Sequence, residues 1–150
     1  QAEDGIRDSV ASRGLGDVYK RQALANRIAV MRNGCIEQIG TPQELYLRPA
    51  TRFVAGFVGR PQINWLNETK GLCIGIRPEH LHPDDNGHPC RVIGREWLGA
   101  SQLLLLESDA GQLQMLCSAD FQPSEHLGVS WSPQDEHHFD PISEQRLSLS

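Results

Sequence analysis

From residue 27 onward, apolar positions come in short runs broken by glycine, proline and asparagine, a pattern of small elements. Arg27, Ile28, Ala29, Val30 and Met31 predict one strand, and residues 35–39 predict another. Between them stands Asn33-Gly34, the strongest short hairpin signal, because both positions of the tight turn need positive φ. The second strand alternates imperfectly: Ile36 faces away from Cys35, Glu37 and Ile39, so partial cover on both faces is expected. Thr41 then offers an N-cap, Pro42 suits the first helical position, and Glu44 completes a capping box, predicting a brief helix over residues 42–47. A second helix is expected from about Pro49, with Phe53, Val54, Phe57 and Val58 on one face and Gly59-Arg60-Pro61 ending it. The helix pair reads as a connector between domains.

Beyond Lys70 the pattern changes to short strands between turn residues. The first covers residues 72–77 and is halted by Pro78; residues 82–89 have the composition of an exposed loop. Residues 91–98 turn at Gly99-Ala100 into residues 101–107, and residues 113–118 and 127–131 complete five candidate strands. Five short strands without a helical pattern between them predict a small barrel or curled sheet of the OB type. The fold class expected is mainly β with short helices. The tail after Phe139 is polar and is expected to fray.

Composition narrows the function classes. In a chain of 150 residues, 39% hydrophobic and 22% charged is ordinary for a globular protein. Uncharged apolar runs such as Leu103 to Leu106 are far too short to span a bilayer, and no apolar stretch follows the first charges as in a signal peptide. A net charge of −5 and only nine aromatic residues argue against an OB-type sheet that grips nucleic acid. The four cysteines form no C-x-x-C pair and read as reduced thiols of a cytosolic protein.

Residues 1–22 stand apart. They lack sustained periodicity and resemble a translated sequencing adapter. Residues 1–8 fit one frame of the flow-cell primer caagcagaagacggcatacgagat, and residues 17–22 one frame of the transposase end gatgtgtataagagacag. This segment is expected to be an adapter artefact, disordered, and is set aside from functional reasoning. Its charges cancel, so the rest of the chain keeps the acidic balance.

The stretch ANRIAVMRNGCIEQIGTPQELYLRPATRFVAGFVG, residues 25–59, resembles the end of the nucleotide-binding domain in ABC importer ATPases for sugars and related solutes. Gly75-Ile76-Arg77-Pro78-Glu79-His80-Leu81 resembles the G-x-R-P-E-H motif of the family's β-rich regulatory (TOBE) domain. Leu98-Gly99-Ala100 and His138-Phe139-Asp140 fit the same pattern, and the subgroup handling maltose, glycerol 3-phosphate and similar solutes is the nearest.

The resemblance implies residues 23–62 as the end of the nucleotide-binding domain with its connector helices, 63–147 as a TOBE/OB-like regulatory domain, and 148–150 as a tail. It implies a parent that binds Mg-ATP, works as a homodimer with membrane-spanning permease subunits, and sits peripherally at the cytoplasmic face of the bacterial inner membrane. The P-loop, signature motif, Walker B acid and switch histidine of the family have no counterpart here. Lys20 and Lys70 stand in no phosphate-cradling context, so the chain is expected to be inactive alone and to hold no cofactor. Between Asn64 and Gly75 the interval is shorter than the family's, so a shortened barrel is expected. The alternative is a free-standing OB-like module that binds a small anion or sugar.

Three residues are candidates for a regulatory or interface role: Arg77, Glu79 and His80, at the end of a strand stopped by Pro78. The functional reading is a contact to a partner subunit or a regulatory ligand. The plainer one, an Arg77–Glu79 pair or a turn-fixing hydrogen bond, is favoured. His80, His82, Asp84, Asp85, His88 and Cys90 are metal-ligand types, but their spacing fits no common zinc arrangement. His137-His138 with Asp140 reads as a structural strand end, and Trp65, Trp97 and Trp131 read as packing residues. No catalytic, cofactor-binding or metal-binding residue is assigned.

Overall fold

The computed structural model describes residues 26–69 and 71–148 and divides the chain into two compact units. The first holds residues 26–60 together with Ser143–Arg146, and the second holds 61–142 with the residues from Leu147 on. The adapter-like residues 1–22 lie outside the described residues.

The first unit opens with an antiparallel hairpin of β1 (Ile28–Arg32) and β2 (Cys35–Gly40). Arg32 pairs with Cys35, and Asn33 and Gly34 carry φ of 51° and 76°, the positive values the sequence anticipated. Two helices follow, α1 (Pro42–Leu47) and α2 (Arg52–Phe57). The capping box is present: Thr41 Oγ1 accepts the Glu44 N–H at 3.1 Å, and Glu44 Oε2 accepts the Thr41 N–H at 2.9 Å. The second helix starts later than expected, because the Thr51 hydroxyl accepts the Val54 N–H at 3.2 Å and so caps it from position 51.

Ile28, Val30, Leu45, Val54 and Val58 form the core of this unit. They use only one face of the hairpin. The opposite face presents Ala29, Met31, Ile36 and Ile39, with Ile36 at 55% and Ile39 at 48% exposure. A bulge at Glu37, which has no partner between the pairs Val30–Gln38 and Met31–Ile36, brings Ile36 to the same face as Ile39 and corrects the expectation that the two point to opposite sides.

The second unit is β-rich. A three-stranded sheet runs in the order β3 (Asn64–Thr69), β4 (Leu72–Ile76), β9 (His137–Phe139). A four-stranded sheet runs β7 (Gly111–Ser118), β6 (Ser101–Ser108), β5 (His82–Trp97), β8 (His126–Ser130). Ile76, Leu81, Cys90, Leu104, Leu106, Leu113, Met115 and Val129 pack into one core between them. In the run Leu103 to Leu106, Leu104 and Leu106 point inward and are fully buried, whereas Leu103 and Leu105 are half-buried.

Three expectations are corrected. β3 was not anticipated, since Asn64-Trp65-Leu66-Asn67-Glu68-Thr69 has no apolar alternation; it pairs with β4 and fills the short interval before Gly75. Residues 82–89 are not a detached loop but the first part of β5. His82 pairs with Ser130, and Pro83 and His88 both pair with Val129, so residues 84–87 bulge out between two anchored flanks. Gly87 and Gly128 permit this: a Cβ on Gly87 would lie 2.3 Å from Val129 O, and one on Gly128 2.1 Å from Asp84 O. Third, the chain after Phe139 is tied down: the Leu147 N–H donates to His138 O at 2.8 Å, and Ser143–Arg146 joins the first unit.

Candidate functional site

Arg77, Glu79 and His80 fall where β4 ends. Pro78 cannot extend the ladder, and Pro78–His80 makes one 3-10 turn, closed by the His80 N–H donating to Arg77 O at 3.0 Å. The turn does not present all three residues to solvent. Arg77 is fully buried and is engaged within the protein, Pro78 is buried, Glu79 is exposed, and His80 is half-exposed. The strand-end position of Arg77 is thus an interior one.

A second 3-10 turn, Pro133–Asp135, lies beside His80, with Asp135 Oδ1 3.9 Å from His80 Nδ1. At that distance the pair is an electrostatic contact rather than a hydrogen bond. Next to it runs a short polar chain. Glu136 accepts the Trp131 Nε1–H at 2.9 Å through one oxygen, and its other oxygen is 2.7 Å from His138 Nε2. His88 stacks on Trp131 with ring centroids 4.8 Å apart. Trp131 also borders a groove with Leu66, Ile74, Pro89 and Leu113, rimmed by Asp109.

The metal-ligand types are dispersed among separate partners. His82 Nε2 is 3.0 Å from Ser130 Oγ, Cys90 is in the core, and His88 is on Trp131. The Asn86 N–H first, then the Ser130 hydroxyl and the nearby His82, hold the Asp84 carboxyl below the usual carboxylate range. Burial pushes the Cys90 thiol up. Among the described residues no group of three or more His, Cys, Asp or Glu side chains is arranged to hold a metal ion.

Nor do the described residues fit Mg-ATP. The first amides of α1 are capped by Thr41, and the Glu44 carboxylate stands at the same end. That placement repels a phosphate instead of cradling it. The residue next to His80, Asp135, carried no sequence signal; the pairing of β9 with β4 brings it near.

A β-rich unit of two small sheets with this turn matches a known domain. Residues 74–139 match the family model of the TOBE domain, and the fold is mainly β, of the OB-like kind. The chain is also similar to proteins named as import or ABC transporter ATP-binding proteins. It is 33% identical to the sn-glycerol-3-phosphate import ATP-binding protein UgpC of Ruegeria pomeroyi over 159 aligned positions, covering 88% of this chain and 45% of that protein. With the protein of the same name from Cereibacter sphaeroides it shares 42% identity over 107 positions, 56% of this chain and 31% of the relative. It is 26% identical to an uncharacterized ABC transporter ATP-binding protein, YcjV, of Escherichia coli over 163 positions, covering 85% and 45% respectively. The chain spans less than half the length of these curated relatives.

Proposed function

We propose that this chain is the C-terminal, regulatory part of the ATP-binding subunit of an ABC importer, and that the parent couples ATP hydrolysis to uptake of a sugar or a related solute such as glycerol 3-phosphate. The observation that carries this reading is the TOBE domain at 74–139 in a chain related over 88% of its length to importer ATP-binding proteins.

A physical feature of the first unit supports it. The outward face of the hairpin leaves Ile36 and Ile39 about half exposed beside Ala29 and Met31. A contiguous apolar sheet face of this kind is normally covered. In the proposed parent it packs on the rest of the ATPase domain, with β1 and β2 closing a larger sheet. A self-sufficient module binding a small anion or sugar gives no reason for such a face.

In this reading the parent binds Mg-ATP through residues outside this chain, pairs with a second copy, and docks on membrane-spanning permease subunits at the inner face of the bacterial membrane. Residues 23–62 serve as the end of the nucleotide-binding domain with its connector helices, and 63–147 as the regulatory domain. Glu79 and His80 supply the contact to a partner or regulatory ligand, and buried Arg77 supports their turn from inside. The purified chain then shows no Mg-dependent ATP turnover above a buffer blank. Robust turnover by the chain alone overturns the assignment of its role.

A further inference from the structure

Ser143–Arg146 belongs with the first unit although it follows β9, the last strand of the second. Its backbone pairs with the residues that lead into α2. The Arg52 N–H donates to Glu144 O at 2.9 Å, the Arg146 N–H donates to Ala50 O at 3.0 Å, and Thr51 and Gln145 oppose each other in an antiparallel bridge. The Glu144 carboxylate meets Arg32 Nη1 at 2.8 Å. The same guanidinium pairs with Glu37 at 3.0 Å and lies 4.7 Å from the centroid of the Phe53 ring. Thr51 completes the circuit, donating its hydroxyl to Glu37 Oε2 at 3.0 Å. One arginine of β1 therefore touches β2, α2 and the returning segment.

Two properties distinguish this contact from a permanent staple. Glu144 has φ of 62°, in the left-handed region that side chains other than Asn and Asp rarely adopt. Among the described residues the only other non-glycine there is Asn33, in a hairpin turn that requires it. A conformation of this sort persists only while its surroundings hold it. The ion pair that holds it is exposed to competition from water and salt, with 38% of the Arg32 side chain and 33% of the Glu144 side chain accessible.

We propose that Ser143–Arg146 is a releasable clasp: the Arg32–Glu144 ion pair holds a strained Glu144 in place, and the clasp locks the entry of α2 onto the hairpin. When the ion pair opens, Glu144 relaxes to negative φ and the two backbone bonds at Ala50 and Arg52 are lost. The chain enters the clasp from β9 and leaves it at Leu147, which is bonded to His138.

Amide hydrogen exchange on the whole chain tests this, comparing the unaltered protein with Glu144→Gln and Arg32→Gln. The Arg52 and Arg146 amides should exchange about three- to fivefold faster in both variants, the scale of an exposed ion pair, while the Leu147 amide keeps its rate. Raising the salt concentration should speed the same two amides in the unaltered protein and leave both variants unmoved. Unchanged Arg52 and Arg146 rates in both variants overturn the clasp. So does a loss of protection spread evenly over the β1–β2 hairpin and both helices, which would make the pair a general stabiliser rather than a local lock.

Discussion

Asn64 and Gln114 exchange two hydrogen bonds: Asn64 Nδ2 donates to Gln114 O at 2.9 Å, and the Gln114 N–H donates to Asn64 Oδ1 at 2.7 Å. β7 is an edge strand of the four-stranded sheet, so its outward amide and carbonyl at Gln114 need a partner. A side chain from β3, in the other sheet, supplies both. Replacing Asn64 with Leu leaves the two backbone groups without their partners and should cost about 1–3 kcal/mol in urea unfolding. A change below about 0.5 kcal/mol would show that water replaces the amide without loss.

Gln102 plays a comparable part inside β6. It is fully buried, and its Nε2 donates to Ser118 O at 2.8 Å and to Phe121 O at 2.6 Å, fixing the turn after β7. Gln102→Leu should destabilise the second unit by about 0.5–1.5 kcal/mol, because the part-buried Phe121 and Ser118 carbonyls lose this donor. Equal or greater stability of the variant in the same unfolding assay would contradict that role.

These two residues illustrate what the sequence could and could not reveal. The Asn33-Gly34 turn and the Thr41–Glu44 capping box were legible because local chemistry determines them. Asn64 and Gln102 were not, since a polar residue in a strand is read as solvent-facing until its distant partner is known. Likewise β3 lacks apolar alternation, and the pairing of residues 82–89 depends on Gly87 and Gly128 lying against another strand. At the candidate site Pro78 marked the turn, but nothing local distinguished Arg77, which is buried, from exposed Glu79.

The thiols should separate by burial. Cys35 is exposed, whereas Cys73 and Cys90 are buried, and burial raises the Cys90 pKa. Alkylation under native conditions should modify Cys35 first, with Cys73 and Cys90 roughly a hundredfold slower until urea opens the fold. Mass spectrometry of timed digests reads this directly; comparable labelling of Cys90 and Cys35 would contradict the packing described.

Asp84 gives a prediction at acid pH. Its depressed pKa stabilises the folded state above the ordinary Asp value of about 3.9, and the contribution disappears as pH falls through the lower folded value. Asp84→Asn cannot titrate. The gap in thermal midpoint between the unaltered chain and Asp84→Asn should therefore be largest near neutrality and narrow below about pH 4. A gap that stays constant over that range would remove Asp84 from the acid response.

The central claim, that this chain is the regulatory end of an importer ATP-binding subunit, is tested most directly by sequencing the genomic DNA upstream of the Ala23 codon. The account predicts an uninterrupted reading frame encoding a P-loop, a signature motif, a Walker B acid and a switch histidine before Ala23. A start codon behind a ribosome-binding site close to Ala23, with none of those motifs upstream in frame, would contradict it.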